Sequence, residues 1–177
     1  NSGHAHGLEE VSIVCLVLII MSLNIVWSTP IPITLILAAA LAAPPALSGA
    51  LMVENFELQP ETRWRFFTDR VMGGVSSGQV AFPQEDGKPH AHMTGTVSTA
   101  NNGGFVQMAL DLPADTRAAV GGFDGIRLSV YGNNEDYNVH LRTSDLWLPW
   151  QSYRAIFRAV AGWHVVELPF AGFAPHR

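Results

Sequence analysis

The sequence has little charge and a single cysteine. Charged residues make up 14% of the 177 positions, against about 25% in an average soluble chain. Because Cys15 has no second cysteine to pair with, an intrachain disulfide and a cysteine-based metal cluster are both excluded. The net charge is −5 and no run of basic residues is present. We therefore expect no nucleic-acid partner, which would require a basic surface.

Basic residues are missing from the first 62 positions, and all ten lie from Arg63 onward. Two apolar runs, 11–20 and 31–43, are separated by Pro30 and Pro32. Each is shorter than the roughly 20 residues that span a bilayer comfortably. Small residues at 48–50 follow the second run, as in the cleavage region of a secretory signal peptide. Glu9 and Glu10 occupy the place where such a signal carries positive charge.

We interpret residues 1–50 as an apolar segment outside the folded domain, with 11–50 serving as a signal peptide or membrane anchor. This predicts an extracytoplasmic protein, periplasmic or secreted, or a membrane-anchored one. Membrane contact is expected only through this segment. Two alternatives remain: a spurious extension with the true start at Met21 or Met52, and a helical hairpin packed on the domain. A start at Met52 would make the protein cytoplasmic.

Residues 51–177 show short alternating segments broken by Gly and Asn, the pattern of half-buried antiparallel strands. The predicted fold class is all-β, as a sandwich or barrel. The predicted strands cover 51–58, 75–82, 92–98, 105–112, 126–131, 137–141, 153–160 and 163–170, with one short helix at 114–120. From their strand positions we expect burial of six apolar residues: Trp64, Phe105, Leu128, Val139, Phe157 and Val166.

A short turn at 132–134 predicts that 126–131 and 137–141 pair as a hairpin. Their outward residues would then be neighbours, and 152–158 would extend the row. The predicted ligand- or partner-binding face consists of Arg127, Tyr131, His140, Arg142 and Arg154, with Trp147 and Trp150 in a loop at its end. The alternatives are surface ion pairs with Asp136, Asp145 or Glu167, and tryptophans that close the core.

Two glycine-rich stretches stand out, WRFFTDRVMGGVSSG at 64–78 and TANNGGFV at 99–106. The second reads as a turn in which glycines adopt positive φ. In the first, we expect Asp69 to accept hydrogen bonds from N–H groups of the turn. The turn and loop residues that we single out are Asp69, Gly73, Gly74, Asn102, Gly103 and Gly104.

Together these stretches resemble the complex I intermediate-associated protein 30 family. The resemblance covers residues 51–177. It rests on an opening strand with Phe56, on Trp64, Asp69, Met72, Gly73, Gly74 and Ser76, then on Asn102 to Phe105, Asp124 to Ile126 with Leu128, Tyr137 and Arg142, and finally on Trp150, Tyr153, Phe157, Trp163, Pro169 and Phe170. It implies a galactose-binding-like jelly-roll β-sandwich. The family usually continues past a segment like 173–175. We therefore expect either a fold incomplete at its C-terminal end or an N-terminal segment that substitutes for the missing strands.

The resemblance implies a non-catalytic assembly factor, chaperone-like in respiratory complex I assembly, with a protein partner and no cofactor or metal. A hydrolase using His140, Asp145 and Ser144 or Ser152 lacks a nucleophile-elbow motif. A zinc site from His90, His92 and His140 lacks a motif that fixes its ligands. The remaining alternative is an extracytoplasmic carbohydrate-binding module. A flat face rimmed by apolar residues would favour a protein, and a groove containing Trp147 or Trp150 would favour a glycan.

Overall fold

The structure is a computed structural model that describes residues 8–16, as backbone, and residues 49–176. Its strands are β1 (Leu8–Leu16), β2 (Trp64–Thr68), β3 (Ser77–Ala81), β4 (Gln84–Glu85), β5 (Lys88–Pro89), β6 (Ala91–Ser98), β7 (Val106–Leu110), β8 (Gly125–Tyr131), β9 (Glu135–Leu141), β10 (Ser152–Ala159), β11 (His164–Pro169) and β12 (Ala174–His176). The helices are α1 (Pro60–Arg63) and α2 (Ala114–Ala119), with short 3₁₀ turns at Asp69–Met72, Ala100–Asn102, Val120–Gly122 and Phe170–Gly172.

Every strand pairing within the described part of the chain is antiparallel. The largest sheet has five strands in the order β11-β8-β1-β6-β3, and a second has the order β12-β10-β9. Two further pairs are β2-β7 and β4-β5. These pairings confirm the predicted all-β class with few helices.

One hydrophobic cluster lies between these sheets. Its buried members come from β6, β8, β10, β11 and the segment before α1: Phe56, Ala91, Met93, Ile126, Leu128, Val130, Ala155, Phe157, Ala159 and Leu168. Partly buried residues of β2, β7 and β9 pack against them. Leu128 and Phe157 are buried as predicted, whereas Trp64, Phe105, Val139 and Val166 are only partly buried.

A pair of glycines lets β2 and β7 lie close to the five-stranded sheet. Gly78 of β3 is opposite Gly95 of β6. A Cβ on Gly78 would lie 3.3 Å from the Phe66 ring, and one on Gly95 would lie 3.2 Å from Val106. Because both distances are tighter than ordinary contact, the two glycines allow the β2-β7 layer to approach the sheet directly.

The segment 51–58 is not a strand, so that prediction is wrong. Phe56 has a φ of +60°, and the buried Glu54 carboxylate accepts the N–H groups of Asn55 at 2.9 Å and Phe56 at 2.7 Å. Glu54 also accepts the Trp64 indole N–H at 2.8 Å and pairs with Arg63 at 2.9 Å. A side chain that binds its own following backbone produces a turn in place of an extended strand.

The N-terminal strand β1 lies inside the five-stranded sheet, between β6 and β8. This finding places part of the segment predicted to lie outside the domain among the domain's own strands. The predictions of a signal peptide, an anchor or a cellular location concern residues that lie largely at 1–7 and 17–48, outside the described residues. Among the described residues, no helix is long and apolar enough to cross a membrane.

Candidate functional site

The two glycine-rich stretches meet at the buried carboxylate of Asp69. Its Oδ1 accepts the Ser76 N–H at 2.9 Å, and its Oδ2 accepts the Gly104 N–H at 2.6 Å. The Ser76 hydroxyl donates to Oδ2 and accepts the Ser98 N–H at 3.0 Å. The Asp69 main chain joins the same segments, with its N–H donating to the Phe105 carbonyl at 3.2 Å. Asp69 therefore satisfies its own turn, as predicted, and also links the second motif, which the sequence pattern did not indicate.

Two of the motif glycines have no room for a side chain. A Cβ on Gly74 would lie 2.3 Å from Asp69 Cγ, and one on Gly103 would lie 2.3 Å from Asp69 Oδ2. Gly73 differs, because its surroundings are open and its φ is +90°. The Asn101 amide donates to the Gly73 carbonyl at 3.2 Å and joins the two turns. Gly73, Gly74 and Gly103 are thus explained by packing around one carboxylate and by one left-handed turn. Of the two glycines predicted to adopt positive φ in the second stretch, Gly104 does, with a φ of +134°, whereas Gly103 does not, with a φ of −79°.

The pKa of Asp69 is set by two opposing causes. Burial raises it, but hydrogen bonds from the Ser76 hydroxyl and from the N–H groups of Gly104, Ser76 and Phe105 lower it. The net result is a pKa below the ordinary 3.8. The carboxylate is ionised and surrounded by donors. This arrangement makes Asp69 a structural anchor for the exposed residues 70–72 that follow it.

The predicted hairpin of 126–131 and 137–141 is wrong, and the residues of the predicted polar face belong to two sheets. Arg127 and Tyr131 lie on β8, whereas His140 lies on β9 and Arg154 on β10. β8 and β9 do not pair as a hairpin. The inward residues of both strands pack into the same cluster. Outward residues of β8 and β9 therefore face opposite sides of the molecule, and Arg127 cannot share a binding face with His140 and Arg142.

On the outer side of β8, the predicted site residues Arg127 and Tyr131 contact other side chains of the same chain. Arg127 donates to Glu167 through Nε at 3.0 Å and through an Nη at 2.7 Å. This pair is the surface ion pair considered as the alternative. Tyr131 contacts the Trp163 ring, with centroids 6.0 Å apart, and Trp163 in turn contacts His90.

The outer side of the three-stranded sheet keeps the rest of the predicted site. We call His140, Ser152, Arg154 and His176 the histidine face. Arg154 is directly opposite His140, and His176 is opposite Ser152. The His140 and His176 rings are 5.2 Å apart, and His140 Nδ1 lies 2.8 Å from Ser152 Oγ. His176 was not predicted, because only the pairing of β12 with β10 brings it here.

The pKa of His140 lies below the ordinary 6.5. Burial is the main cause, and the positive charges of His176 and Arg154 add to it. All three effects disfavour the protonated imidazole. His140 is therefore held neutral beside Arg154, and an acidic group brought to this face would favour its protonation.

Next to the histidine face lies an exposed loop at 143–151, here called the aromatic loop. Trp147 is 92% exposed and Trp150 is 62% exposed. Leu148 is exposed as well. The alternative in which both tryptophans close the core is therefore wrong.

The base of the aromatic loop is fixed by hydrogen bonds. The Tyr153 hydroxyl donates to Asp145 at 2.9 Å, and Arg142 donates to the Leu148 carbonyl at 3.4 Å. The Leu148 N–H donates to the Gln151 side chain at 3.1 Å. Hydrogen bonds from Thr143 and Tyr153 lower the pKa of Asp145, and the bond to Asp145 raises that of Tyr153. The tryptophans thus project from a loop that is anchored to β9 and β10.

A cavity of about 260 Å³ lies at the base of this loop and is lined by Val120, Leu141, Thr143, Tyr153 and Phe170. The lining is almost wholly apolar. Trp147 and Trp150 are not among these residues. The exposed tryptophans therefore stand on the surface and do not form the wall of a groove at this position.

The residues of the two chemical alternatives, a serine hydrolase and a zinc site, are arranged as follows. Ser152 is close to His140, but Asp145 bonds to Tyr153 and does not support the imidazole. Ser152 is also buried. Among the described residues, no cluster of three or more His, Cys, Asp or Glu side chains could hold a metal ion. His140 lies on β9 of the three-stranded sheet, whereas His90 directly precedes β6 of the five-stranded sheet.

Comparison with protein families matches residues 55–177 to the model of complex I intermediate-associated protein 30. This match includes Asp69 and both glycine-rich stretches, the histidine face and the aromatic loop. The chain belongs to the complex I intermediate-associated protein 30 family. The suspected resemblance is thereby confirmed. The match does not include β1, although β1 lies inside the largest sheet of this family member. Comparison with curated proteins and with solved structures gave no match.

Proposed function

We propose that this chain is a non-catalytic binding module that holds a protein partner during assembly of respiratory complex I. Membership of the complex I intermediate-associated protein 30 family supports the role. The observation that carries the binding site is the anchored aromatic loop, with Trp147 and Trp150 exposed beside the histidine face. Tryptophan and arginine are the residues that most often contribute the binding energy of protein interfaces.

The surroundings of the loop favour a protein partner over a glycan. A sugar site is normally a groove whose polar groups converge on the ligand, with an aromatic face along one wall. Here the neighbouring cavity is apolar and the tryptophans stand outside it. An exposed Trp147 with Arg142 and Arg154 nearby is suited to a partner that offers an apolar surface with acidic residues.

We further propose that the chain adopts the fold implied by the resemblance, a galactose-binding-like jelly roll. We also propose that it has no catalytic activity. A serine nucleophile requires a base whose imidazole is oriented by a third group. In this chain the acidic residue in question, Asp145, is bound to Tyr153. The following test also distinguishes this binding module from the alternative, a carbohydrate-binding module.

The test compares binding by the full chain and by the double variant Trp147→Ala with Trp150→Ala. The immobilised protein is incubated with detergent-solubilised respiratory membranes, and retained complex I subunits are identified by mass spectrometry. Loss of a hot-spot tryptophan costs about 2 kcal/mol or more, which is a roughly 30-fold weaker affinity. Because both side chains are exposed, the melting temperature of the variant should remain within a few degrees of the parent.

The matched control is Trp163→Ala. It removes a tryptophan that is 51% exposed and lies directly before β11 of the five-stranded sheet, and the variant should retain the subunits. Equal retention by all three proteins would contradict the proposed site. Failure of the parent chain to retain any complex I subunit, together with specific binding on a glycan array that requires Trp147, would favour the carbohydrate-binding module.

A further inference from the structure

Strand β1 occupies a position that separates two other strands of the same sheet. It pairs with β6 from Leu8↔Ser98 to Cys15↔Ala91, and with β8 from Val14↔Tyr131 to Leu16↔Ser129. Without it, β6 and β8 would have no partner on the edges that face each other. Both strands carry core residues at this place, since Ala91 and Val130 are fully buried.

Such a gap is unfavourable in a folded protein. Backbone N–H and C=O groups at a buried edge require hydrogen-bond partners, and an unpaired edge is a template for another strand. The part of the chain that matches the family, 55–177, supplies β6 and β8 but not β1. The family domain of this chain therefore contains a slot between β6 and β8 that a segment from outside the match fills.

The occupant is connected to the slot by a long stretch of chain. About 30 residues separate Leu16 from Gly49, and a chain of that length can extend at most about 100 Å. Its length therefore does not restrict β1 to the slot of its own chain. A second copy offers a slot with the same register and the same buried neighbours, so the strand of one copy fits the other equally well.

We propose that the slot between β6 and β8 is a strand-accepting site that binds Leu8–Leu16 from a second copy of this chain as well as from its own. The binding mode is strand addition, in which main-chain hydrogen bonds supply affinity and the register selects the segment. Exchange of β1 between two copies gives a strand-swapped dimer. This interface is separate from the aromatic loop and does not depend on the proposed function.

The chain's lone cysteine provides a direct test. Cys15 is opposite Ala91 in β6. Opposed residues of antiparallel strands have Cα atoms about 4.5–5.5 Å apart, which is within the usual range for a disulfide, about 4.4–6.8 Å. The double variant Cys15→Ser with Ala91→Cys has no cysteine in β1. When it is mixed with the unmodified chain, a disulfide between position 15 and position 91 can form only between two copies.

The two proteins are unfolded together, refolded over a range of concentrations and oxidised, and the linked peptides are identified by mass spectrometry. The proposal predicts a covalent heterodimer linked through positions 15 and 91, whose share rises with protein concentration. The control pair uses Cys15→Ser with Ala81→Cys. Ala81 lies on β3, two strands from β1, at about 9–10 Å, so it should give no such link.

A further variant, Ala91→Cys alone, reports on the strand within one chain. It should form the 15–91 disulfide within a monomer at low concentration. Formation of this link only within monomers, at every concentration, would overturn the exchange. Absence of the link in every protein, or equal linking at positions 91 and 81, would overturn the slot itself.

Discussion

Replacement of Gly103 by alanine tests whether Asp69 organises both glycine-rich stretches. The new Cβ would lie 2.3 Å from Asp69 Oδ2 and 3.1 Å from the Ala100 carbonyl oxygen. Gly103 has a φ of −79°, which any residue adopts, so backbone strain makes no contribution. Ordinary contact requires about 3.4 Å or more, and the carboxylate would therefore have to move by roughly 1 Å.

This movement has two consequences for stability. Overpacking of a filled site costs about 1–3 kcal/mol. Displacement of Oδ2 also lengthens its bond from the Gly104 N–H, now 2.6 Å, and a hydrogen bond to a charged group contributes about 1.5–3 kcal/mol. We expect Gly103→Ala to lower the free energy of unfolding by about 2–5 kcal/mol, or the melting temperature by about 5–15 °C.

The assay is urea unfolding followed by tryptophan fluorescence, with two controls. Gly121→Ala places a Cβ in open space without a positive φ, and its effect should stay within about 0.5 kcal/mol. Gly73→Ala also meets no atom but has a φ of +90°, so it should show strain alone, about 1–2 kcal/mol. If Gly103→Ala were as stable as Gly121→Ala, Asp69 would not be the packing centre described above.

Four other outcomes are expected. Leu128 is 5% exposed in the core, so Leu128→Ala should lower the free energy of unfolding by about 2–5 kcal/mol. A decrease below about 1 kcal/mol in urea unfolding would contradict the inward position of this side chain. Arg127→Ala removes only a surface ion pair with Glu167, so the free energy of unfolding should change by about 0–1 kcal/mol. The variant should still retain complex I subunits. Loss of retention would show that the outer side of β8 takes part in partner binding. Folding lowers the pKa of Asp69 below 3.8, so its stabilisation is full above the unfolded-state value and is lost as the pH falls through the lower folded-state value. Acid titrations of unfolding should show this loss in the parent and not in Asp69→Asn, and identical curves would refute it. Folding also lowers the pKa of His140 below 6.5, so stability should decrease as the pH falls below 6.5, because the unfolded chain takes up the proton first; His140→Gln should remove that part of the pH dependence, and an unchanged slope would count against it.

Alternation along the chain predicted most strands correctly, because period-2 burial is a local property. The segments 92–98, 126–131, 137–141 and 153–160 correspond closely to β6, β8, β9 and β10. The hairpin of β4 and β5 was missed, although its turn, Asp86-Gly87, has positive φ at both positions. An Asp-Gly pair is a strong hairpin signal, so the sequence contained enough information to find it.

Strand partners could not be predicted in the same way, because pairing depends on distant residues. The turn at 132–134 suggested a hairpin, but the Gly132 N–H donates to the Val160 carbonyl at 2.9 Å and the Asn134 N–H to the Ala159 carbonyl at 2.8 Å. A Cβ on Gly132 would lie 2.4 Å from the Ala159 side chain. These contacts with the end of β10 carry the chain from one sheet to the other, and this divides the predicted polar face.

The candidate site was predicted only in part, because only some of its residues lie on strands that pair with each other. Because β9 and β10 pair, the predicted site residues at this end of the sheet lie on or beside the histidine face: His140, Arg142, Trp147, Trp150 and Arg154. The anchoring of the aromatic loop by Asp145 and Tyr153 follows from the fold and has no local signal.

Photo-crosslinking from the aromatic loop tests whether this loop is the partner-binding site. A photoreactive benzophenone amino acid replaces Trp147 in the full chain, and the protein is illuminated in the presence of solubilised respiratory membranes. We expect a covalent adduct with a complex I subunit from position 147, and none from the same group at Val165, which is exposed on the opposite sheet. Adducts from position 165 but not from 147, or none with any complex I subunit from either position, would contradict this expectation.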